Sequence, residues 1–215
     1  MSEPALRSDA ARNRQLLVEA ARAAFAERGL EAPLDDIARR AGVGNATLYR
    51  RFPTRCALVA AVFAETLREV VTAADRALAD SDAWAGFVGH VTFLCRLQAN
   101  DRGLADLLTA AIPAAPELEE PRARAYQGMS EVIERAQASG ELRPDFRHED
   151  IVIVLMANAG LLERTGTDAP TAWQRHLSYV MAGLRAPALV PAAPSAGEEA
   201  VVNAMTTLAA RMGCA

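Results

Sequence analysis

The sequence predicts an all-α protein, because it is rich in a strong helix former, poor in aromatic residues and apolar at helical spacings. Alanine accounts for 47 of the 215 residues, and it favours helices and disfavours strands. Only 5% of the residues are aromatic, which argues against an all-β fold. The chain is long enough for one large domain or two small ones. Its longest apolar run, 151–162, is shorter than the roughly 20 residues that a membrane-spanning helix needs.

The N-terminal part of the chain predicts four helices, which we place at about 8–28, 34–41, 45–52 and 54–79. Each begins at a residue that can cap or start a helix, and these residues are Ser8 or Asp9, Pro33, Asn45 and Thr54. Gly29 and Gly42 can adopt the left-handed conformation that ends the first two helices, and Pro53 ends the third.

The rest of the chain predicts five further helices, at about 82–100, 102–111, 117–139, 149–164 and 169–184. Asp82 can cap the first of these, and Pro113 closes the second. The stretch 186–197 contains three prolines and predicts a Pro/Ala linker. Residues 198–212 could form a final amphipathic helix or a frayed tail.

The formal net charge of −4 hides a difference between the two ends of the chain. Residues 1–55 hold ten arginines and seven acidic residues, a net charge of +3, whereas the remainder carries −7. All 23 basic residues are arginine, whose guanidinium group suits bidentate contacts with phosphate and guanine. The asymmetry favours an anionic partner at the N-terminal end.

Residues 34–52 predict a helix-turn-helix. In the turn Ala41-Gly42-Val43-Gly44, Gly42 permits the sharp corner and Val43 fills the gap between two short helices. In the second of these helices Leu48 and Phe52 are four residues apart and must face inward. Its small, hydrogen-bonding, aromatic and cationic side chains are left to project outward. Such a face is typical of a helix whose N-terminal end enters the major groove of DNA.

The segment from Leu34 to Val62 resembles the DNA-binding domain of TetR-type, that is tetracycline-repressor-like, transcriptional regulators. The residues that carry the resemblance are Ile37-Ala38, Ala41-Gly42-Val43, Thr47-Leu48-Tyr49, Phe52 and the cation Arg55. Arg51 departs from the pattern, since many members carry His there, and the extra guanidinium would strengthen contact with the DNA backbone. The resemblance implies a homodimeric, ligand-responsive regulator, with repression as the usual outcome. It places a helix-turn-helix DNA-binding domain at 1–53, a helical ligand-binding and dimerisation domain at 54–186, and a linker with a tail or short helix at 187–215.

The residues that we expect to contact DNA lie on the exposed face of the recognition helix and just after it, and they are Asn45, Ala46, Thr47, Tyr49, Arg50, Arg51 and Arg55. The tyrosine ring could instead belong to the core, and the arginines could be solvated charges. Asn45 is placed to cap its own helix, and that use competes with DNA contact. One short helix reads only a few base pairs, so we expect a dimer on a palindromic operator with half-sites ~34 Å or somewhat more apart.

The expected dimer surface is formed by the last two helices before the linker, whose apolar residues repeat at spacings of three and four. We assign to it Ile151, Val154, Leu155, Leu162, Trp173, Leu177, Val180, Met181 and Leu184. Ordinary packing inside one chain would produce the same pattern. The 151–162 helix is apolar nearly all round, however, which fits burial on two sides.

The ligand pocket is implied mainly by the resemblance, and the sequence supplies only candidates, which are Trp84, Phe87, His90, Cys95, Tyr126, Met129, Met156 and Asn158. Core packing explains each of them, taken alone, better than ligand contact does, since Met and aromatic residues at helical spacing usually form core. Few charges lie among them, so a mainly apolar or weakly polar effector is expected.

Other functions find less support in the sequence. It contains no G-x-S-x-G, phosphate-loop, H-E-x-x-H or dinucleotide-binding motif, and we expect neither an enzyme nor a cofactor. The three histidines share no metal spacing, and the three cysteines form neither a disulfide framework nor a zinc site. The N-terminus does not look like a signal peptide, so a cytoplasmic location is expected. The alternative function is a helical module that binds small molecules or proteins without specific DNA binding.

Overall fold

The computed structural model describes residues 3–112, 116–187 and 190–214, with side chains from residue 11 onward except that of Pro116. Within these ranges the chain is all-α and forms ten helices, each close to a predicted span. They are α1 (Glu3–Arg28), α2 (Leu34–Arg40), α3 (Asn45–Arg51), α4 (Arg55–Ala79), α5 (Ala83–Asn100), α6 (Arg102–Thr109), α7 (Pro116–Ala138), α8 (His148–Thr165), α9 (Ala172–Leu184) and α10 (Glu198–Arg211). None of the described helices is long and apolar enough to span a membrane.

Most predicted helix boundaries are confirmed by local contacts. The Thr54 side chain accepts a hydrogen bond from the Ala57 backbone N–H at 3.1 Å, and Asp82 Oδ1 accepts one from the Ala85 N–H at 2.8 Å. Gly29 has a φ of +75°, the left-handed conformation expected where α1 ends.

Two predicted caps are wrong. Ser8 and Asp9 lie inside α1, which already begins at Glu3, because Glu3 and Pro4 suit the first turn of a helix. Asn45 is the first residue of α3 and not its cap, a position that Gly44 takes. The Asn45 amide instead donates to Asp35 Oδ1 at 2.8 Å, across the turn between the two short helices.

The C-terminal segment folds into a helix, which decides between the two alternatives for residues 198–212. Residues 188 and 189 of the predicted Pro/Ala linker lie outside the described residues. The linker leads into α10, which packs back on α8 and on the end of α6.

Two apolar cores lie one above the other along α4. The first is built on α1–α3 and the N-terminal half of α4, and it also includes residues of α6 and the end of α10. The second joins the C-terminal half of α4 to α5, α7, α8 and α9. We use the name N-terminal head for α1–α3, and α4 connects this head to the rest of the molecule.

Helix α6 lies very close to the head. A Cβ atom on Gly103 would lie 2.9 Å from Phe25 Cβ and 2.9 Å from the tip of the Phe63 ring, which is closer than carbon atoms can approach. Asp106, one turn further along α6, accepts a hydrogen bond from the Leu30 backbone N–H at 2.8 Å. The head and α6 are therefore in direct contact.

Candidate nucleic-acid interface and apolar cavity

Helix α3 presents the polar face that the sequence predicts. Leu48 and Phe52 are buried at 1% and 3% exposure and belong to the first core. Tyr49 is 50% exposed, and Asn45, Ala46 and Arg50 are exposed beside it. Thr47 and Arg51 are half-buried. The arrangement leaves one aromatic hydroxyl and two guanidinium groups on or near the surface of a short helix.

Within the helix-turn-helix, the described arginines of α2 are paired with carboxylates and those of α3 are not. On α2, Arg39 pairs with Asp36 at 2.6 Å and Arg40 pairs with Glu27 at 2.7 Å. The hydrogen bond from Arg40 holds the pKa of Glu27 below its usual value. Across the described residues, neither Arg50 nor Arg51 has a carboxylate partner within salt-bridge distance. These two groups remain available to an external anion.

Arg55 is placed differently from the other candidates. Its Nη1 donates to the backbone carbonyls of Leu30 and Ala32 at 2.6 and 2.7 Å, and the side chain is half-buried. Because these bonds tie the start of α4 to the loop after α1, Arg55 has a structural role in the head. Its predicted contact with DNA would have to use its other nitrogen atoms.

An apolar cavity of about 420 Å³ lies below the head, between α4, α5, α6, α7, α8 and α10. Of the predicted ligand-binding residues, His90, Tyr126 and Met129 line it. Most of the wall is aliphatic, including Leu67 and Val70 of α4 and Leu155 of α8. Helix α10 contributes Val201, Val202 and Met205 to the same wall. The cavity thus touches both the connecting helix α4 and the C-terminal helix.

His90 is the polar group best placed to meet a ligand. It is 3% exposed, and its Nδ1 atom is buried without a hydrogen-bond partner in the described part of the chain. Burial lowers the pKa of His90 to about 4, so the imidazole is neutral at physiological pH. A neutral imidazole can donate one hydrogen bond and accept another. It suits an uncharged hydroxyl, carbonyl or amide of an otherwise apolar molecule.

Other polar residues that line the cavity already have partners in the chain. Arg122 Nη1 and Nη2 donate to the carbonyls of Ile112 and Ala110 at 2.9 and 3.1 Å, so this guanidinium is already satisfied by backbone. The rings of Tyr126 and His148 lie 3.8 Å apart, and the Tyr126 hydroxyl donates to Glu198 Oε1 at 3.3 Å.

The other predicted ligand-binding residues lie outside this cavity. Phe87, Cys95 and Asn158 are buried in the second core or between its helices. Asn158 Nδ2 donates to Gln98 Oε1 at 2.8 Å, which joins α8 to α5. Met156 is half-buried and lines neither of the two main cavities, whereas Trp84 lines a separate surface groove beside α9. Core packing therefore accounts for Phe87 and Cys95.

The predicted dimer residues divide into two groups. Five of them are buried in the chain's own second core and unavailable to a second protomer, and these are Ile151, Leu155, Trp173, Leu177 and Met181. The other four are half-buried at its edge, and these are Val154, Leu162, Val180 and Leu184. The outer face of the same two helices carries Ile153 and Tyr179, which are 43% and 61% exposed. Sequence spacing alone did not identify these two residues.

Several cavity residues were also missed, among them Arg122, Leu67 and Glu149. The signal for Arg122 is present in the sequence, because it lies four residues after Leu118 and seven before Met129, on the apolar stripe of α7. A charged residue on an inward-facing stripe indicates either a backbone partner or a binding site.

Comparison with known proteins agrees with this architecture. Residues 17–62 match the model of bacterial regulatory proteins of the tetR family, and residues 79–186 match the C-terminal domain of SbtR-like transcriptional regulators. No curated protein sequence matches significantly.

Solved structures share the fold over most of their length. A TetR transcriptional regulator from Streptomyces coelicolor is 31% identical, with 81% of this chain and 99% of that one covered and a TM-score of 0.53. The regulator FadR from Bacillus subtilis, solved in complex with stearoyl-CoA, is 16% identical over 79% of this chain and 98% of its own, with a TM-score of 0.57. The ketosteroid regulator KstR2 of Mycobacterium tuberculosis is 20% identical over 80% and 94%, with a TM-score of 0.54.

The matched models cover the head and the helical body, and members of the family are DNA-binding transcription factors and not enzymes. The helix-turn-helix, the polar face of α3 and the cavity below it are the parts that such a factor needs. The chain therefore belongs to the TetR family of bacterial transcriptional regulators.

Proposed function

We propose that this regulator is a repressor that binds a palindromic operator as a homodimer in the cytoplasm and is released by a small, mainly apolar effector. The observation that carries the proposal is the polar face of α3, where neither the exposed Arg50 nor the half-buried Arg51 has a carboxylate partner among the described residues, beside the half-exposed Tyr49. We assign residues 1–53 to DNA binding, 54–186 to ligand binding and dimerisation, and 187–215 to the linker and α10.

Some of the proposed DNA contacts position the protein on the phosphate backbone, and others discriminate between base sequences. Arg50, Arg51 and the Tyr49 hydroxyl contact phosphate, and each neutralised phosphate contributes to an affinity that falls steeply with salt. Asn45, Ala46 and Thr47, at the N-terminal end of α3, face the base edges, where a good bidentate pair contributes about 1–3 kcal/mol of discrimination. Arg55 supports the head through the Leu30 and Ala32 carbonyls and reaches phosphate only with its remaining donors.

The homodimer forms through the outer faces of α8 and α9. Ile153 and Tyr179 are large apolar side chains that a monomer leaves in water. The half-buried Val154, Leu162, Val180 and Leu184 border them. Ala157 and Gly160 on the exposed face of α8 allow close approach of a second helix.

The effector occupies the apolar cavity and acts through α4. Leu67 and Val70 in the cavity wall belong to α4, which begins three residues after Phe52, the residue that follows α3. A ligand that tilts α4 changes the separation of the two heads and breaks their fit to successive major grooves. The coupling free energy that this requires is about 1–3 kcal/mol, a change of roughly 5- to 150-fold in affinity.

The test is selection of bound fragments from the source genome, followed by titration of the selected duplex by fluorescence anisotropy at several salt concentrations. We expect saturable binding to a palindrome. Arg50→Ala and Arg51→Ala should each weaken binding and reduce the salt slope by about one. Arg124→Ala is the matched control, because this arginine is 60% exposed on α7 in the helical body. A protein that selects no specific fragment would favour the alternative, a ligand- or protein-binding module without an operator.

A further inference from the structure

Helix α10 lies beyond both regions that match the family models, and the function proposed above assigns it no role. It begins at the cavity wall, where Glu198 accepts the hydrogen bond from Tyr126. One turn further, Val201 is 7% exposed and forms part of the cavity wall, and Met205 follows four residues later.

The other end of α10 is buried in the N-terminal core. Ala209, Met212 and Cys214 are 0%, 5% and 0% exposed and pack in the same cluster as Cys56 in the first turn of α4. Gly213 lies beside the Arg55 side chain. The end of this helix is therefore fixed where the head joins α4.

The residues of α10 that contact the cavity and those that contact the N-terminal core lie on one face of the helix. Val201, Met205 and Met212 are spaced by four and seven residues, so they share one face of the helix. From Val201 to Met212, the residue that follows the helix, the distance along the helix axis is about 16 Å. The opposite face, with Asn203, Ala204 and Thr207, is exposed. The helix is thus held along one line, with the cavity at one end and the head at the other.

We propose that α10 is an effector-operated strap, in which a ligand entering the cavity displaces Val201 and Met205 and thereby withdraws Met212 and Cys214 from the core of the head. This inference rests on the proposed function for the identity of the cavity as the effector site. A backbone hydrogen bond from the Ala111 N–H to the Met205 carbonyl, at 3.1 Å, ties the middle of α10 to the segment after α6. Movement of the strap therefore loosens the head at two points, the α4 start and the α6 end.

The Cys214 thiol reports the position of the strap. It is fully buried, and burial together with the neighbouring Cys56 raises the pKa of Cys214 to about 12, so alkylation is slow while the strap is seated. Cys95 is an internal control, because it lies fully buried in the second core, away from α10. Mass spectrometry of the alkylated peptides separates the two sites.

The first experiment needs no ligand. Val201→Asp places a charge in the cavity wall, and Asn203→Asp adds the same charge on the exposed face two residues away. We expect Val201→Asp to speed alkylation of Cys214 by iodoacetamide about tenfold or more through local opening, with Cys95 still protected. Asn203→Asp should behave as wild type. Equal Cys214 rates in the two variants would overturn the strap. If Cys95 also becomes reactive, Val201→Asp has unfolded globally, and the second experiment decides.

The second experiment uses N-phenyl-1-naphthylamine, a neutral apolar fluorescent probe, on the wild-type full chain. We expect its fluorescence to rise on binding and the Cys214 alkylation rate to rise with probe occupancy. Binding without any change at Cys214 would overturn the strap and leave the cavity as an effector site. Failure of the probe to bind would count against the proposed effector class. The comparison of Val201→Asp with Asn203→Asp would then still decide whether the cavity wall and the head are coupled.

Discussion

The buried His90 makes the stability of the protein depend on pH. In the unfolded chain the imidazole has its ordinary pKa of 6.5, whereas in the folded protein burial lowers that pKa to about 4. Between these two values the unfolded state binds the proton more strongly, so the free energy of unfolding falls as the pH falls from 6.5 towards 4. The full difference amounts to about 3 kcal/mol, and at about pH 5 roughly 2 kcal/mol of it is already lost.

Replacing His90 with Gln removes this titration and keeps a neutral polar side chain in the cavity wall. Urea unfolding followed by circular dichroism, at about pH 7.5 and about pH 5 and at one fixed protein concentration, gives the two free energies. We expect the wild type to lose about 2 kcal/mol more than His90→Gln between these pH values. The control is His176→Gln, in which a half-buried histidine of α9 outside the cavity is changed and His90 is kept.

The test compares the loss of unfolding free energy between the two pH values in each protein, and not the free energies themselves. His90→Gln also changes packing, but that effect does not depend on pH. If His90→Gln lost as much stability as the wild type on acidification, His90 would not be the group that binds the proton. The lowered pKa that we assign to His90 in the cavity wall would then be wrong as well.

Three further predictions concern the interface, the dimer and a helix cap. Tyr49→Phe should lower affinity for the selected duplex by about 1 kcal/mol, since one hydrogen bond is lost, without a change in melting temperature; a lower melting temperature would instead place the ring in the core. Ile153→Arg should give monomers in analytical ultracentrifugation, and a dimeric Ile153→Arg would show that the interface lies elsewhere. Leu155→Arg, at a site that is 5% exposed, should instead unfold the chain, because an unpaired buried charge costs several kcal/mol. Thr54→Ala should lower stability by about 1 kcal/mol and the melting temperature by about 2–4 °C, and an unchanged melting curve would show that the bond to Ala57 adds nothing.

The helices could be predicted from the sequence because their signals are local. Thr54 and Asp82 cap the helices that follow them, and Gly29 ends α1, each through contacts or backbone angles within a few residues. Asn45 shows where this reasoning fails. Its propensity to cap was outweighed by Asp35, ten residues away, whose carboxylate accepts the amide proton across the turn.

The direction in which each helix faces was harder to predict. Helix α8 is apolar nearly all round, so spacing alone does not separate Leu155, which is buried, from Ile153, which is exposed. The cavity raises the same difficulty. Phe87 and His90 lie three residues apart on α5, yet Phe87 packs against Phe146 in the core and His90 borders empty space. Whether a buried side chain packs against another side chain or borders a cavity depends on how six helices pack together. The sequence of one helix alone does not determine this.

Under the function proposed above, the tight contact at Gly103 bears on how resistance to the inducer would arise by mutation. Even a methyl group there would force α6 away from Phe25 and Phe63, because its carbon atom would lie 2.9 Å from an atom of each side chain. In a genetic screen for variants of the proposed repressor that no longer respond to inducer, we therefore expect substitutions at the contact between Gly103, Phe25 and Phe63, none of which lines the cavity.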